Sequence, residues 1–299
     1  MIKWNTPDIA PIRENLNICR GNRRFGSDTS LANIFLLAGK YDTKIACAGG
    51  ALLRYYSGGK PNRRGYGFPL YCGEADIAEL IGLLYRDSQE RGVPFAFCLC
   101  DENQRAVIDS VCKVEWDFTE DDSDYIYKRE SLAALSGKKL HRKRNHINNF
   151  NKMYDDIEYR ELTRLNAGDA TAVAEKWLAE REDGGSPDER AELVSIQTAL
   201  ANMDSLGIFG GVLYVEGQPV AMTAASKISD CVTDVHYEKS FGEYAENGAF
   251  TVINQCLAQA GDTEYFNREE DMGIAGLRTA KESYYPAFKL KKYYGVCKC

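Results

Sequence analysis

Ile208-Phe-Gly-Gly-Val-Leu-Tyr-Val215, Val220-Ala-Met-Thr-Ala-Ala-Ser-Lys-Ile228 and Cys231-Val-Thr-Asp-Val-His-Tyr-Glu238 follow one another with almost no break. Each is the length of a strand and rich in β-branched or aromatic residues. Glu216-Gly217-Gln218 between the first two carries the signal of a hairpin turn. Gly248 then precedes an apolar helix over Ala249–Ala260, and Thr263–Asn267 returns to a strand. The order is antiparallel strands, a helix, and another strand.

The first half offers a comparable order. Ile34–Ala38, Lys44–Cys47 and Ala51–Tyr56 read as strands, with turns at Gly39-Lys-Tyr-Asp42 and Ser57-Gly-Gly59. Asp76 to Glu90 reads as an amphipathic helix with Ile77, Leu80, Ile81 and Leu84 on one side. Asp76 and Glu79 stand as its capping box, and Arg91-Gly92 closes it. Phe95–Cys100 follows as a strand, Glu102–Cys112 as a helix, and Glu115–Phe118 and Tyr125–Tyr127 as strands. Between the halves, Leu132–Leu135 and Lys138–Met153 are helical around a Ser136-Gly137 break. Further helices are expected over Asp169–Arg181, from Pro187 to about Met203, and over Ile274–Glu282. Ser186, Pro187 and Glu189 mark the start of the second of these. The expected fold class is mixed α/β of the α+β type. It comprises two tandem GNAT-like (acyl-CoA N-acyltransferase) domains, residues 1–130 and 131–299, each a mostly antiparallel twisted sheet flanked by helices. One α+β domain with a large insertion is the alternative.

Composition narrows the function classes. The chain has 299 residues and a formal net charge of -7, which argues against a nucleic-acid binder that uses its whole surface. A local basic patch remains compatible with phosphate binding. Met1-Ile-Lys-Trp-Asn-Thr-Pro7 has no apolar signal core, and the longest apolar runs are strand-length, so a cytoplasmic protein with no transmembrane segment is expected. Ten cysteines and three histidines occur without any Cys-x-x-Cys pair. Reduced thiols and no metal site are expected.

Three groups of residues carry candidate chemistry. Strand alternation puts Asp234, His236 and Glu238 on one face, suited to proton handling or amine binding. The same row also fits the wet side of an antiparallel sheet. In Tyr265-Phe-Asn-Arg-Glu-Glu-Asp-Met-Gly273, the residues Tyr265, Asn267 and Glu269 share a face and Phe266 and Arg268 the other. Asp271 follows, and Arg278 and Lys281, three apart on one helix side, can grip a phosphate or carboxylate or form a salt-bridged surface. In the basic run, Leu140, Ile147 and Phe150 take the core side. Lys138, Lys139, Arg142, Lys143, Arg144 and Asn145 offer an anion-binding face or simply a solvated one. A glycine-rich coenzyme A loop is missing: Asn62-Arg-Arg-Gly-Tyr-Gly67 comes near, but no helix follows at once, and Glu243 and Glu246 would repel a pyrophosphate.

Leu135-Ser-Gly-Lys-Lys-Leu-His-Arg-Lys-Arg-Asn-His-Ile-Asn-Asn-Phe150, His236-Tyr-Glu-Lys239, Asn247-Gly-Ala249 with Ile253-Asn-Gln255, and Asn267-Arg-Glu-Glu-Asp-Met-Gly273 through Gly276-Leu-Arg278, Lys281, Ser283-Tyr284 and Pro286 resemble the DUF2156 family. That family is the soluble catalytic part of phosphatidylglycerol lysyltransferases, related to Fem-type aminoacyltransferases. The resemblance implies an aminoacyltransferase. It would move an aminoacyl group from aminoacyl-tRNA to a lipid hydroxyl or an amine acceptor by direct attack, without a covalent intermediate and with no required cofactor. His236, Glu238 and Asp271 are the expected catalytic groups. Asp234, Asn267, Glu269, Arg278, Lys281 and Tyr284 are expected to bind substrate, and the basic helix to meet tRNA phosphate. Peripheral contact with a lipid headgroup is expected as well. The alternatives are a coenzyme A-dependent N-acyltransferase and a non-catalytic module binding an amino acid or nucleotide. The second half is expected to hold the site.

Overall fold

The computed structural model describes residues 2–18, 24–60, 63–71, 73 and 75–298; Asn62 and Cys299 lie outside the described residues. In the first half the strands are β1 (Thr43–Ala48), β2 (Ala51–Tyr56), β3 (Gly65–Tyr66), β4 (Leu70–Tyr71), β5 (Ala96–Cys100) and β6 (Val114–Phe118). Then come β7 (Asp124–Lys128), β8 (Ile157–Glu161), β9 (Phe209–Val215), β10 (Gln218–Ser229), β11 (Val232–Ser240), β12 (Tyr265–Asn267), β13 (Phe288–Leu290) and β14 (Tyr293–Cys297). They form two seven-stranded sheets, ordered β1-β2-β3-β5-β14-β6 with β4 beside β2, and β13-β7-β12-β11-β10-β9-β8. All pairings are antiparallel except β3 with β5 and β11 with β12.

The halves repeat one connectivity. β1-β2-β3, helix Ile77–Arg91, β5, helix Glu102–Asp109 and β6 correspond to β9-β10-β11, helix Ala249–Ala260, β12, helix Ala275–Glu282 and β13. Each half then gives its last strand to the other. β7, on the first-half side of position 130, lies between β12 and β13. β14, at the end of the chain, lies between β5 and β6. The duplication expected from element order is therefore present as topology, with two strands exchanged across the 130/131 division.

Local signals account for most elements. Asp76 accepts from Glu79 N and left-handed Gly92 ends the helix Ile77–Arg91; Ser186 and Glu189 close a reciprocal capping box with Pro187 in the first turn. One expected strand is a helix. Ile34, Phe35 and Leu36 end the helix Leu31–Leu36, Leu37 is a turn, and Ala38 opens the helix Ala38–Tyr41. Ser30 caps the first of these by accepting from Asn33 N at 3.1 Å, and Leu31, Ile34 and Phe35 follow helical spacing. Its three central residues face three ways. Ala32 enters the core between the second sheet and helices Ala167–Ala179 and Pro187–Ala201, Ile34 enters a first-half core with Ile12 and Leu52, and Asn33 faces polar side chains.

A buried ion pair stands where the chain changes sheets. Lys292, between β13 and β14, is 3% exposed and lies 2.5 Å from Asp124, the first residue of β7, which is 0% exposed. Lys292 also donates to Ser27 Oγ at 2.9 Å, and Asp124 accepts from Ser27 N at 2.9 Å. Burial opposes the charge on Lys292, but Asp124 and Glu270 outweigh it and hold the ammonium protonated. Lys292→Met would leave Asp124 buried and unpaired, so urea unfolding should show a loss of about 3–5 kcal/mol. Lys298→Met breaks an exposed pair with Glu115 and should leave stability almost unchanged. Equal losses in the two variants would contradict this role for Lys292.

Candidate active site

β11 and β12 run parallel and pair over only three positions, Val232 with Tyr265, Thr233 with Phe266 and Asp234 with Asn267. Beyond them the strands part, and side chains bridge the gap. A crevice at the carboxyl ends of parallel strands is a common place for ligands.

A bulge decides which side chains face which way. On β11, Val235 pairs with Ala225 and Tyr237 with Ala224, which leaves His236 as the extra residue. An extra residue moves everything beyond it to the other face. Val235 joins the apolar cluster under helix Ala249–Ala260, and Tyr237 joins the opposite cluster under helix Ala167–Ala179. Asp234 and His236 therefore lie on the Tyr237 side, and Glu238 on the Val235 side. The common face expected for Asp234, His236 and Glu238 is divided.

On the first face His236 Nδ1 lies 3.2 Å from Glu269 Oε1 and 3.6 Å from Asp234 Oδ2, and its Nε2 lies 2.8 Å from Ser226 Oγ. Asn33 Nδ2 donates to Asp234 Oδ2 at 3.2 Å and to Glu269 Oε1 at 3.0 Å. Asp234 is 0% exposed and its Oδ1 has no hydrogen-bond partner among the described residues, whereas the Glu269 side chain is 25% exposed and forms the open edge. Burial, then Glu269 and Asp124, push the Asp234 carboxyl well above the usual carboxylate range. Burial also pushes Glu269 upward, but hydrogen bonding and charge from His236, with Asn33 and Lys281, outweigh it and hold Glu269 below that range. Two adjacent carboxyls are thus driven apart, one ionised and one inclined to keep its proton. The ligand atoms of Asp234, His236 and Glu269 lie within 4.8 Å of one another, a set suited to a cation.

The loop after β12 is built to present Glu269. Its φ of +55° is a left-handed conformation uncommon for a non-glycine residue. Asn267 Oδ1 accepts from Glu269 N at 2.7 Å, and Lys281 Nζ donates to the carbonyls of Arg268, Glu269 and Glu270. Asn267 Nδ2 is spent on Phe25 O and Asp124. Asp271 accepts from Arg278, Tyr125 and Gly273 N, and Arg278 first, then Tyr125 and Gly273, hold its carboxyl far below the usual range. Arg278 also binds Asp121. The structure therefore does not bring Asn267, Asp271, Arg278 or Lys281 together with His236 as free groups; they shape the loop.

On the second face Glu238 Oε2 accepts from Arg268 Nε at 3.1 Å and Oε1 from Asn254 Nδ2 at 2.9 Å. Tyr284 is buried there, its ring 4.8 Å from the Arg268 guanidinium. The basic helix spans His141–Met153, so Lys138 and Lys139 precede it. Leu140 and Phe150 are buried and Ile147 is packed beside them, as the spacing predicts. Lys138, Lys139, Arg142 and Asn145 are exposed, and Arg142 and Asn145 line a shallow groove of about 320 Å³ with His146 and Asn149. Arg144 is spent on the carbonyls of Leu135 and Gly137, and Lys143 turns inward over Tyr284. A larger cavity of about 620 Å³, lined by Tyr55, Arg64, Trp116 and Tyr294 among others, belongs to the first sheet and shares no residue with either face.

Residues 20–295 match the family model described as Phosphatidylglycerol lysyltransferase, C-terminal. The chain belongs to this family. The motifs quoted from the sequence point to the same family. A crystal structure of a conserved protein of unknown function from Bacteroides thetaiotaomicron is 30% identical, with 100% of both chains covered and a TM-score of 0.92. The structure of L-PGS from Bacillus licheniformis is 18% identical over 98% of this chain and 92% of that one, with a TM-score of 0.66. FemX, 8% identical over 98% and 97%, has the same fold at a TM-score of 0.61. The chain spans only 56% of the curated relative it matches at 23% identity. Among the described residues no helix is long and apolar enough to cross a membrane.

Asn33 and Ser226 have no signal in the sequence, since only folding brings Asn33 to Asp234 and Glu269 and Ser226 to His236. The Asp234 geometry predicts a trade between stability and function. In the folded chain its proton is held above the unfolded value of about 4, so folding is disfavoured increasingly as pH rises past that value. Asp234→Asn should therefore stabilise the protein by about 1–3 kcal/mol at pH 8 and by much less near pH 4. Urea unfolding at both pH values checks this; a variant less stable than the parent at pH 8 would refute it.

Proposed function

We propose that the protein transfers an aminoacyl group from aminoacyl-tRNA to a hydroxyl or amine acceptor, and that Glu269, with Asp234 behind it, receives the ammonium of that group. The observation that carries this reading is the convergence of Asp234, His236 and Glu269 at the parting of β11 and β12, with a carboxylate at the open edge. An ammonium is the cation that an aminoacyl donor always presents. Family membership supports a transferase, and the phosphatidylglycerol in the family's description supports a lipid hydroxyl as acceptor.

The reaction exchanges one acyl bond for another. The acceptor oxygen or nitrogen attacks the ester carbonyl, the tRNA ribose oxygen leaves, and the acceptor's proton ends on that oxygen. No oxidant or outside energy is needed, so positioning and one proton transfer suffice. His236, bridged between Ser226 and Glu269, sets the orientation of Glu269 and stands ready for the proton. The exposed Lys138, Lys139 and Arg142 supply a field for tRNA phosphate on an otherwise acidic chain. Glu243 and Glu246 ahead of helix Ala249–Ala260 weigh against coenzyme A as donor.

Filter binding to charged and uncharged tRNA across a salt series, with transfer of labelled amino acid to phosphatidylglycerol, tests this. Charged tRNA should bind more tightly and binding should weaken with salt. Glu269→Gln should lower transfer about 10- to 100-fold while tRNA affinity, set by phosphate contacts, holds. Full transfer by folded Glu269→Gln and His236→Ala would remove the site from the reaction.

A further inference from the structure

Lys143 poses a problem of charge. Its Nζ lies 3.8 Å from the centre of the Tyr284 ring, and it makes no hydrogen bond or ion pair with any described residue. The guanidinium of Arg268 lies against the same ring. The carboxylate there is Glu238, and both of its oxygens are taken, one by Arg268 and the other by Asn254. A half-buried place thus holds two cations against one anion. Burial, then Arg268, lower the Lys143 pKa to about 8, and Glu238 offsets them only in part. Two further polar atoms are buried without a hydrogen-bond partner among the described residues, Arg268 Nη1 and Asn254 Oδ1, and Asn254 is 0% exposed. Buried polar atoms left unpaired in a folded protein call for an explanation.

We propose that Lys143 and Arg268, with Tyr284 and Asn254, form a binding site for a single phosphate-ester anion on the face of β11 opposite the Asp234 cluster. One phosphate supplies the missing negative charge and accepts from both Lys143 Nζ and Arg268 Nη1. A hydroxyl on the ester donates to Asn254 Oδ1. An isolated phosphate suits the place better than a nucleic-acid strand. The extended charge of a strand is met by exposed Lys138, Lys139 and Arg142, whereas the inner position offers two cations beside a ring. The site follows from this charge count and stands whether or not the Asp234 cluster receives an aminoacyl donor.

Titration calorimetry of the intact chain with inorganic phosphate and with glycerol 3-phosphate, at fixed ionic strength, tests it. Saturable binding is expected, weakened about tenfold or more by Lys143→Gln and largely retained by Lys143→Arg. Circular dichroism confirms that both variants are folded. Phosphatidylglycerol vesicles bound in a Lys143-dependent way would identify a lipid headgroup as the source of the phosphate, and glycerol 3-phosphate bound without vesicle binding a soluble ester. Absence of saturable phosphate binding, or Lys143→Gln binding as the parent does, overturns the proposal. So does a Lys143 effect confined to tRNA, which would make the residue a nucleic-acid contact.

Discussion

The pair formed by Lys292 and Asp124 is the constraint on which the rest of the structure depends. It joins the two points where the chain passes from one sheet to the other. The strand that starts at Asp124 completes the second sheet, and the strand that follows Lys292 completes the first. Because neither sheet is whole without a strand from the opposite half, the halves cannot unfold one at a time without breaking backbone ladders. Ser27 ties the N-terminal segment to both charges, and through helix Leu31–Leu36 that segment delivers Asn33 to the Asp234 cluster. The ion pair, the strand exchange and the site are parts of one arrangement.

The second constraint is one extra residue in β11. A regular strand would have put Asp234, His236 and Glu238 side by side, three titratable groups in one wall. The bulge at His236 sends Glu238 through the sheet, where it neutralises Arg268, and keeps His236 beside Asp234. The parting of β11 and β12 is thereby bridged twice, by His236 and Glu269 on one face and by Glu238 and Arg268 on the other. Carboxylates predominate on the first face and cations on the second. A single strand separates two environments of opposite charge.

Much of the fold was legible in the residues. Caps such as Asp76 and the box of Ser186 and Glu189, the hairpin at Glu216-Gly217, and the apolar spacing of Leu140, Ile147 and Phe150 act over one or two turns, and their outcomes match the reading. The same holds for the alternation of Phe266 and Arg268 against Asn267 and Glu269. The helix at Leu31–Leu36 overlaps the strand expected at Ile34–Ala38 because the five apolar residues there carry no period of their own, and the Ser30 cap decides the matter. The strands β3 and β4 leave no pattern, since two residues are too few to show alternation.

The sequence by itself determined the local elements, the family and the set of groups able to do chemistry, because these depend on neighbours within a few residues or on motif strings. Tertiary structure alone decided which of those groups work together. A bulge is defined only by the pairing of two strands, so the division of Asp234 and His236 from Glu238 is invisible along the chain. Saturation of Asp271, Arg278 and Lys281 by one another's loop is likewise a matter of contacts made only after folding. The contact of Asn33 with Asp234, across 201 positions of sequence, has no local cause at all.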